Sequence, residues 1–246
     1  MDLLKRTRLP HFLVLGTQKG GTTSLQKLLE QHPGVYVPPC KEVHYFSLHA
    51  DQPLSWYSSH YTEARWGQKR GDITPYYLFH PQSPARIKAL LPRVRMIALL
   101  RDPVERTLSQ LFHAKRHGFE PLEPAQALDA ETERLASGSA YSLQKHSYLA
   151  RSCYLEQLDR YEALFPRSQM LILKSEDLFD NQAGIWEQIQ RFLKLRQHPL
   201  PIDRPRANAG KGEAQRVDPE IRHQLKSKLA NTALGVKQRY GIDWGW

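Results

Sequence analysis

The sequence predicts an α/β fold in which a central, mainly parallel sheet is flanked by helices. Three observations predict it. Short aliphatic runs at residues 11–16, 94–100 and 170–173 are each followed by a helical pattern. A glycine-rich turn joins the first run to its helix, and prolines and glycines rather than long linkers punctuate the rest. With 246 residues, 40% of them hydrophobic, residues 1–246 form a single domain with a real core.

Each element has its own warrant. The run at residues 11–16 is aliphatic and closed by Gly16, as a buried strand is. Leu25, Leu28 and Leu29 then recur at helical spacing over residues 22–32, and Pro33-Gly34 stops that helix. Residues 35–39 form a short extended piece ended by Pro38 and Pro39. Ser83-Pro84 and Asp218-Pro219 each place a cap residue before a helix-starting proline. The strand at residues 94–100 leads into Asp102-Pro103-Val104-Glu105, with a capping aspartate, proline at the first helical position and glutamate at the third. Leu149, Tyr154, Leu155, Leu158, Tyr161 and Leu164 predict a helix over residues 148–165, stopped by Pro166. The strand at 170–173 precedes a helix over 181–193. Residues 118–125 and 197–215 are irregular, and no internal repeat is present.

Charge narrows the class of partner. Thirty-five Lys+Arg against 25 Asp+Glu leave a net charge of +10, which favours anionic ligands. The bases are dispersed, with no basic tail or basic heptad helix, so nucleic acid is not an expected partner. No apolar run approaches the length of a transmembrane segment, and the polar, basic start is unlike a signal peptide. Cys40 and Cys153 lack metal-ligand spacing and make no disulfide framework, so they are expected as thiols in a reducing, cytoplasmic setting.

The junction Gly16-Thr-Gln-Lys-Gly-Gly-Thr-Thr-Ser24 is the strongest chemical signal. Glycines let the chain wrap closely around a ligand, and the amides at a new helix terminus attract an anion. The candidate anion-binding residues are Lys19, Gly20, Gly21, Thr22, Thr23 and Ser24. The loop is P-loop-like: Gly16 and Gly21 have the spacing of G-x-x-x-x-G-K-[ST]. Thr22 takes the place of the motif lysine, and Lys19 lies inside the loop. Arg101, at the carboxyl end of a strand, offers a fork that matches phosphate, with Ser109 about two turns into the following helix. Arg101 could instead pair with Asp102 or Glu105; a phosphate loop on a neighbouring strand favours phosphate. Glu42 and His44 follow the extended piece and, as residues i and i+2 of an extended chain, would point to one face. His113 and His117 are spaced for chelation but lack a third ligand, so they read as a solvated basic face, and no metal is expected. Trp56, Tyr57, Tyr61, Trp66, Tyr76 and Tyr77 read mostly as packing, with sugar stacking as their other use.

Together these motifs resemble the sulfotransferases that use 3′-phosphoadenosine 5′-phosphosulfate (PAPS). Lys41-Glu42-Val43-His44-Tyr45-Phe46 is similar to the Lys-Glu-x-His-x-Phe segment of the heparan-sulfate type, particularly the glucosaminyl 3-O enzymes. Leu100-Arg101-Asp102-Pro103-Val104-Glu105-Arg106 with Ser109 resembles the family's 3′-phosphate motif. Lys211-Gly212-Glu213 resembles its late Lys-Gly-Arg loop, with Glu213 in place of the arginine. Gly71-Asp72-Ile73-Thr74-Pro75 resembles its Gly-Glu-Lys-Thr/Ser-Pro segment, with Ile73 in place of the lysine. The resemblance implies a soluble, bacterial-type enzyme that moves the sulfuryl group of PAPS to a hydroxyl or amine of a glycan, glycolipid or small acceptor. It leaves adenosine 3′,5′-bisphosphate (PAP) and uses no metal. Lys19, Glu42 and His44 would be catalytic, with Glu42 or His44 as the base. Lys19, Gly20, Gly21, Thr22, Thr23, Ser24, Arg101, Ser109, Lys211 and Gly212 would bind the co-substrate. A P-loop-type nucleotide kinase is the rival enzyme, and it lacks its motif lysine here. A non-catalytic polyanion-binding module explains the charge but not the ordered motifs.

Overall fold

The computed structural model describes residues 7–201 and 212–246. The chain runs β1 (Phe12–Gly16), α1 (Thr22–Glu30), β2 (Val35–Tyr36), α2 (Leu54–Ser59), β3 (Lys69–Ile73), α3 (Ser83–Leu90), β4 (Arg95–Leu100) and α4 (Pro103–Arg116). It continues through α5 (Pro124–Asp129), α6 (Glu131–Ala136), α7 (Ala140–Lys145), α8 (Tyr154–Glu162), β5 (Met170–Lys174), α9 (Asp177–Asp180), α10 (Gln182–Leu193) and α11 (Pro219–Tyr240). The five strands form one sheet in the order β2-β3-β1-β4-β5, and every pairing is parallel. The α/β reading therefore holds, and the sheet is parallel throughout.

Alternation along the central strands builds a core on each face. Leu13, Leu15, Met96, Ala98 and Leu100 pack with Ile87, Leu158, Tyr161 and Val236 from α3, α8 and α11. Phe12, Val14, Ile97 and Leu99 pack on the other face with Leu25, Leu28, Ile185 and Ile189 from α1 and α10. Each of these Leu, Ile, Val, Met and Phe side chains contributes about 1.5–3 kcal/mol on leaving water. Register also depends on a missing side chain. A Cβ on Gly71 would come within 2.2 Å of the Phe12 ring, which the pairing Phe12↔Gly71 sets directly alongside.

Several expectations need correction. Asp102 and Asp218 do cap their helices, accepting from Val104 N and Glu105 N, and from Glu220 N. Ser83 does not cap α3; it lies inside the helix, and its hydroxyl donates to Phe46 O at 2.8 Å. The helix expected over residues 148–165 is a 3-10 turn (Ala150–Ser152) followed by α8, because Glu131 takes the Leu149 and Ala150 amides at 2.7 and 2.8 Å. The strand β3 escapes pattern reading because Lys69, Arg70 and Asp72 interrupt it. Asp72 is fully buried and accepts from Tyr57, Tyr77 and Thr74 hydroxyls at 2.8, 2.9 and 2.7 Å. Among the described residues no helix is long and apolar enough to cross a membrane.

Candidate active site

The order β3-β1-β4 places the chain leaving β1 beside the carboxyl ends of both neighbours, where parallel sheets open a crevice. The loop after β1 is pinned from both sides. Leu99 O accepts from Thr17 N and Thr17 Oγ1 at 2.9 and 3.0 Å, and Ser175 Oγ donates to Gly20 O at 2.7 Å. Only glycine fits at position 20, since a Cβ there would lie 2.5 Å from Thr17 Oγ1 and 2.8 Å from Leu99 O. Lys19 and Gly21 take left-handed φ values of 68° and 87°. Gly21 then opens α1 with no side-chain cap, the arrangement that favours an anion at a helix start.

These residues border a cleft of about 370 Å³ lined by Lys19, Gly21, Thr22, Thr23, Glu42, Arg101 and Ser109, among others. Seven of the sequence-predicted residues thus converge. Gly20 shapes the loop without lining the cleft, and Ser24 is buried on the inner side of α1. Lys211 lies outside the described residues, and Gly212 takes a left-handed φ of 83° just before the turn Glu213–Arg216.

Lys41 and Arg116 also line the cleft, so four cations face one carboxylate there. Burial first, then Arg116, Arg101 and Lys41, lowers the Lys19 pKa from 10.5 to about 8. Arg101 Nη1 donates to Lys19 O at 3.2 Å, while its approach to Glu105 is a loose 4.0 Å. The guanidinium is therefore not consumed by the carboxylate pairing that the sequence left open. Ser109, His113 and Arg116 follow one another on one face of α4 and all line the cleft. Burial, then Lys19 and His117, pulls His113 down to about 4, so a neutral imidazole faces the cleft. The solvated face expected for His113 and His117 is instead a wall of the cleft. Arg116 Nη1 also holds Glu213 at 3.0 Å, tying the turn Glu213–Arg216 to α4.

Glu42 and His44 do meet, but not on an extended chain. Both have left-handed φ, 63° and 58°, and this turned backbone sets Glu42 Oε2 3.3 Å from His44 Nε2. His44 Nδ1 lies 3.0 Å from Ser47 Oγ. The turn is braced from below: His44 N donates to Thr74 Oγ1 at 3.4 Å, and Thr74 in turn donates to buried Asp72. Burial pushes the Glu42 carboxyl up, but the His44 hydrogen bond and the charges of His44, Lys41 and Arg151 outweigh it and hold it below its usual range. A carboxyl raised by burial, the simple expectation, is not what this surrounding produces.

A second cavity of about 180 Å³ shares Gln18, Glu42 and His113 with the cleft, and adds His44, Tyr76, Phe119 and Arg151. Arg151 is buried; it donates to Ser147 Oγ and Gln144 O, each at 2.7 Å, and to Gln18 of the loop after β1. Its guanidinium lies over Tyr76 at 4.7 Å, and burial lowers its pKa to about 10. Arg151 and Gln18 carry no local sequence signal. The helical spacing of Ser109, His113 and Arg116 is the one sign by which that wall could have been found.

The family model described as "Sulfotransferase domain" matches residues 9–223. A human heparan sulfate glucosamine 3-O-sulfotransferase, 3B1, is 30% identical over 191 residues, covering 77% of this chain and 47% of that protein. The chain spans between 26% and 54% of the length of the first three curated relatives it matches. The crystal structure of a sulfotransferase from Alicyclobacillus acidocaldarius superposes with a TM-score of 0.80 at 25% identity, covering 96% of this chain and 97% of that one. A mouse sulfotransferase complexed with PAP shares the fold, with a TM-score of 0.59 at 14% identity, over 93% of this chain and 87% of that one.

Proposed function

Because the chain belongs to the sulfotransferase family, we propose that it moves the sulfuryl group of PAPS, held in the larger cleft, to a hydroxyl or amine presented in the smaller cavity. The observation that carries this reading is that Glu42 borders both spaces, with Lys19 on the cleft side and His44 on the other. The cleft fits a bis-anionic nucleotide: the uncapped start of α1 and Lys19 suit the 5′-phosphosulfate, while Arg101, Ser109 and Arg116 suit a second phosphate. Lys211 and Gly212 belong to the same proposal as co-substrate-binding residues.

In the transfer, the bond between sulfur and the nucleotide's phosphate oxygen breaks as the acceptor's oxygen or nitrogen bonds to sulfur. Lys19 and the amides of the loop stabilise the charge left on the phosphate. Glu42 takes the acceptor proton and His44 orients Glu42 through their 3.3 Å contact. The smaller cavity is little larger than the roughly 150 Å³ that holds a benzene ring. It therefore suits one ring of an acceptor, a small molecule or the end of a glycan or glycolipid.

Calorimetry tests the nucleotide assignment. PAP binds more tightly than adenosine 5′-monophosphate, and Arg101→Ala removes most of that preference, about 1.5–3 kcal/mol for a charged hydrogen bond. Equal affinity of the wild type for the two nucleotides would overturn it.

A further inference from the structure

The cleft lies where strands end; a second concavity lies where they begin. It measures about 480 Å³, and its walls come from the residues that enter β1, β3 and β4 and from the end of α10. Four lining side chains are cationic, Lys69, Arg93, Arg95 and Lys194, and none is acidic. None of the four forms an ion pair among the described residues; Arg95 only lies over the Phe192 ring, at 5.9 Å.

The layout separates this groove from a seat for one small anion. A phosphate site gathers donors onto one point, with amides or hydroxyls among them. Here the cations stand on three separate pieces of chain, Lys69 opening β3, Arg93 and Arg95 two residues apart at the start of β4, and Lys194 just after α10, and strands β3, β1 and β4 step sideways by about 4.8 Å each. Leu90, Leu91 and Pro92, at the end of α3, add apolar lining. His11 also lines the groove; burial first, then Arg70 and Lys69, holds its pKa near 4. Spaced charge beside apolar lining matches a chain whose anionic groups repeat and whose ring faces are apolar. Base stacking has little to work with, since Phe12 is 1% exposed and Arg95 lies over Phe192.

We propose that this groove binds a linear acidic polysaccharide, at a site separate from the transfer cleft and independent of its chemistry. The test uses a fluorescein-labelled polyuronate hexasaccharide, with anisotropy read between about 50 and 200 mM salt, with and without saturating PAP. The wild type binds, PAP does not displace the probe, and log Kd rises with log salt. Arg93→Glu/Lys194→Asn weakens binding at least about 10-fold and lowers that slope by one to two, as loss of two ionic contacts requires. Asparagine is chosen because Lys194 is left-handed, φ 55°. PAP affinity and melting temperature certify the fold; should the double variant fail them, Arg93→Gln, at an exposed position, replaces it. Unchanged binding by the folded variant, displacement by PAP, or tighter binding of oligothymidylate or phosphatidylserine vesicles would overturn the proposal.

Discussion

Two substitutions test the proposed division of proton transfer between Glu42 and His44. Glu42→Gln keeps the side chain's shape but cannot take a proton, so transfer falls by about 10²–10⁴ while PAP affinity survives. His44→Ala costs less, since water can replace part of an orienting contact; if the ranks exchange at saturating PAPS, the imidazole is the base. Since Glu42 is held below its ordinary value of 4.5, the acid limb of kcat lies below that pH, and a limb near neutrality would contradict the assignment. Lys19 gives a pH signature of opposite sign. Its lowered pKa, about 8 against 10.5, means that between those values the unfolded chain binds more protons than the free folded one. Relative to Lys19→Met, stability of the free protein therefore rises across that window, while PAP affinity falls because binding needs the ammonium. Proton uptake on PAP binding at pH 8, measured in two buffers, checks the second half. Lys19→Ala lowers turnover by about 10²–10³, and more than it lowers PAP affinity, if the ammonium acts on developing charge.

At the scale of elements, the site depends on how β1 hands over to α1 and β4 to α4. Gly20→Ala pushes a methyl group into Thr17 Oγ1 and Leu99 O, and the loop must move. We expect a loss of about 1–3 kcal/mol in denaturant melts together with loss of PAP binding. Asp102→Ala removes the α4 cap, for about 1 kcal/mol, and has a smaller effect on PAP because Arg101 and Ser109 keep their backbone. These handovers were legible in the sequence because glycine, proline and aspartate do one local job each. β3 was not, since a buried Asp72 is comprehensible only once Tyr57, Tyr77 and Thr74 surround it. Nor was the turned backbone of Glu42 and His44: the residue types were visible, whereas the left-handed φ values that join them come from tertiary bracing.

For the whole molecule, periodicity located three of the five strands and the parallel architecture, because β1, β4 and β5 are buried on both faces and carry nearly unbroken aliphatic runs. What sequence reading missed came from distance along the chain: Arg151 reaches Gln18 across 133 positions. The same distance governs the order of events during synthesis. The loop after β1 leaves the ribosome early, yet its Gly20 carbonyl is held by the hydroxyl of Ser175, 155 positions later, and Ser175 N is itself held to Leu100 O at 2.8 Å. A nascent chain stopped short of β5 carries the lining residues of the cleft and lacks the strand edge that sets the loop. Nucleotide protection of ribosome-bound chains therefore switches on only after residue 175 has cleared the exit tunnel, and a stalled chain ending before β5 stays open to protease however much PAP is added.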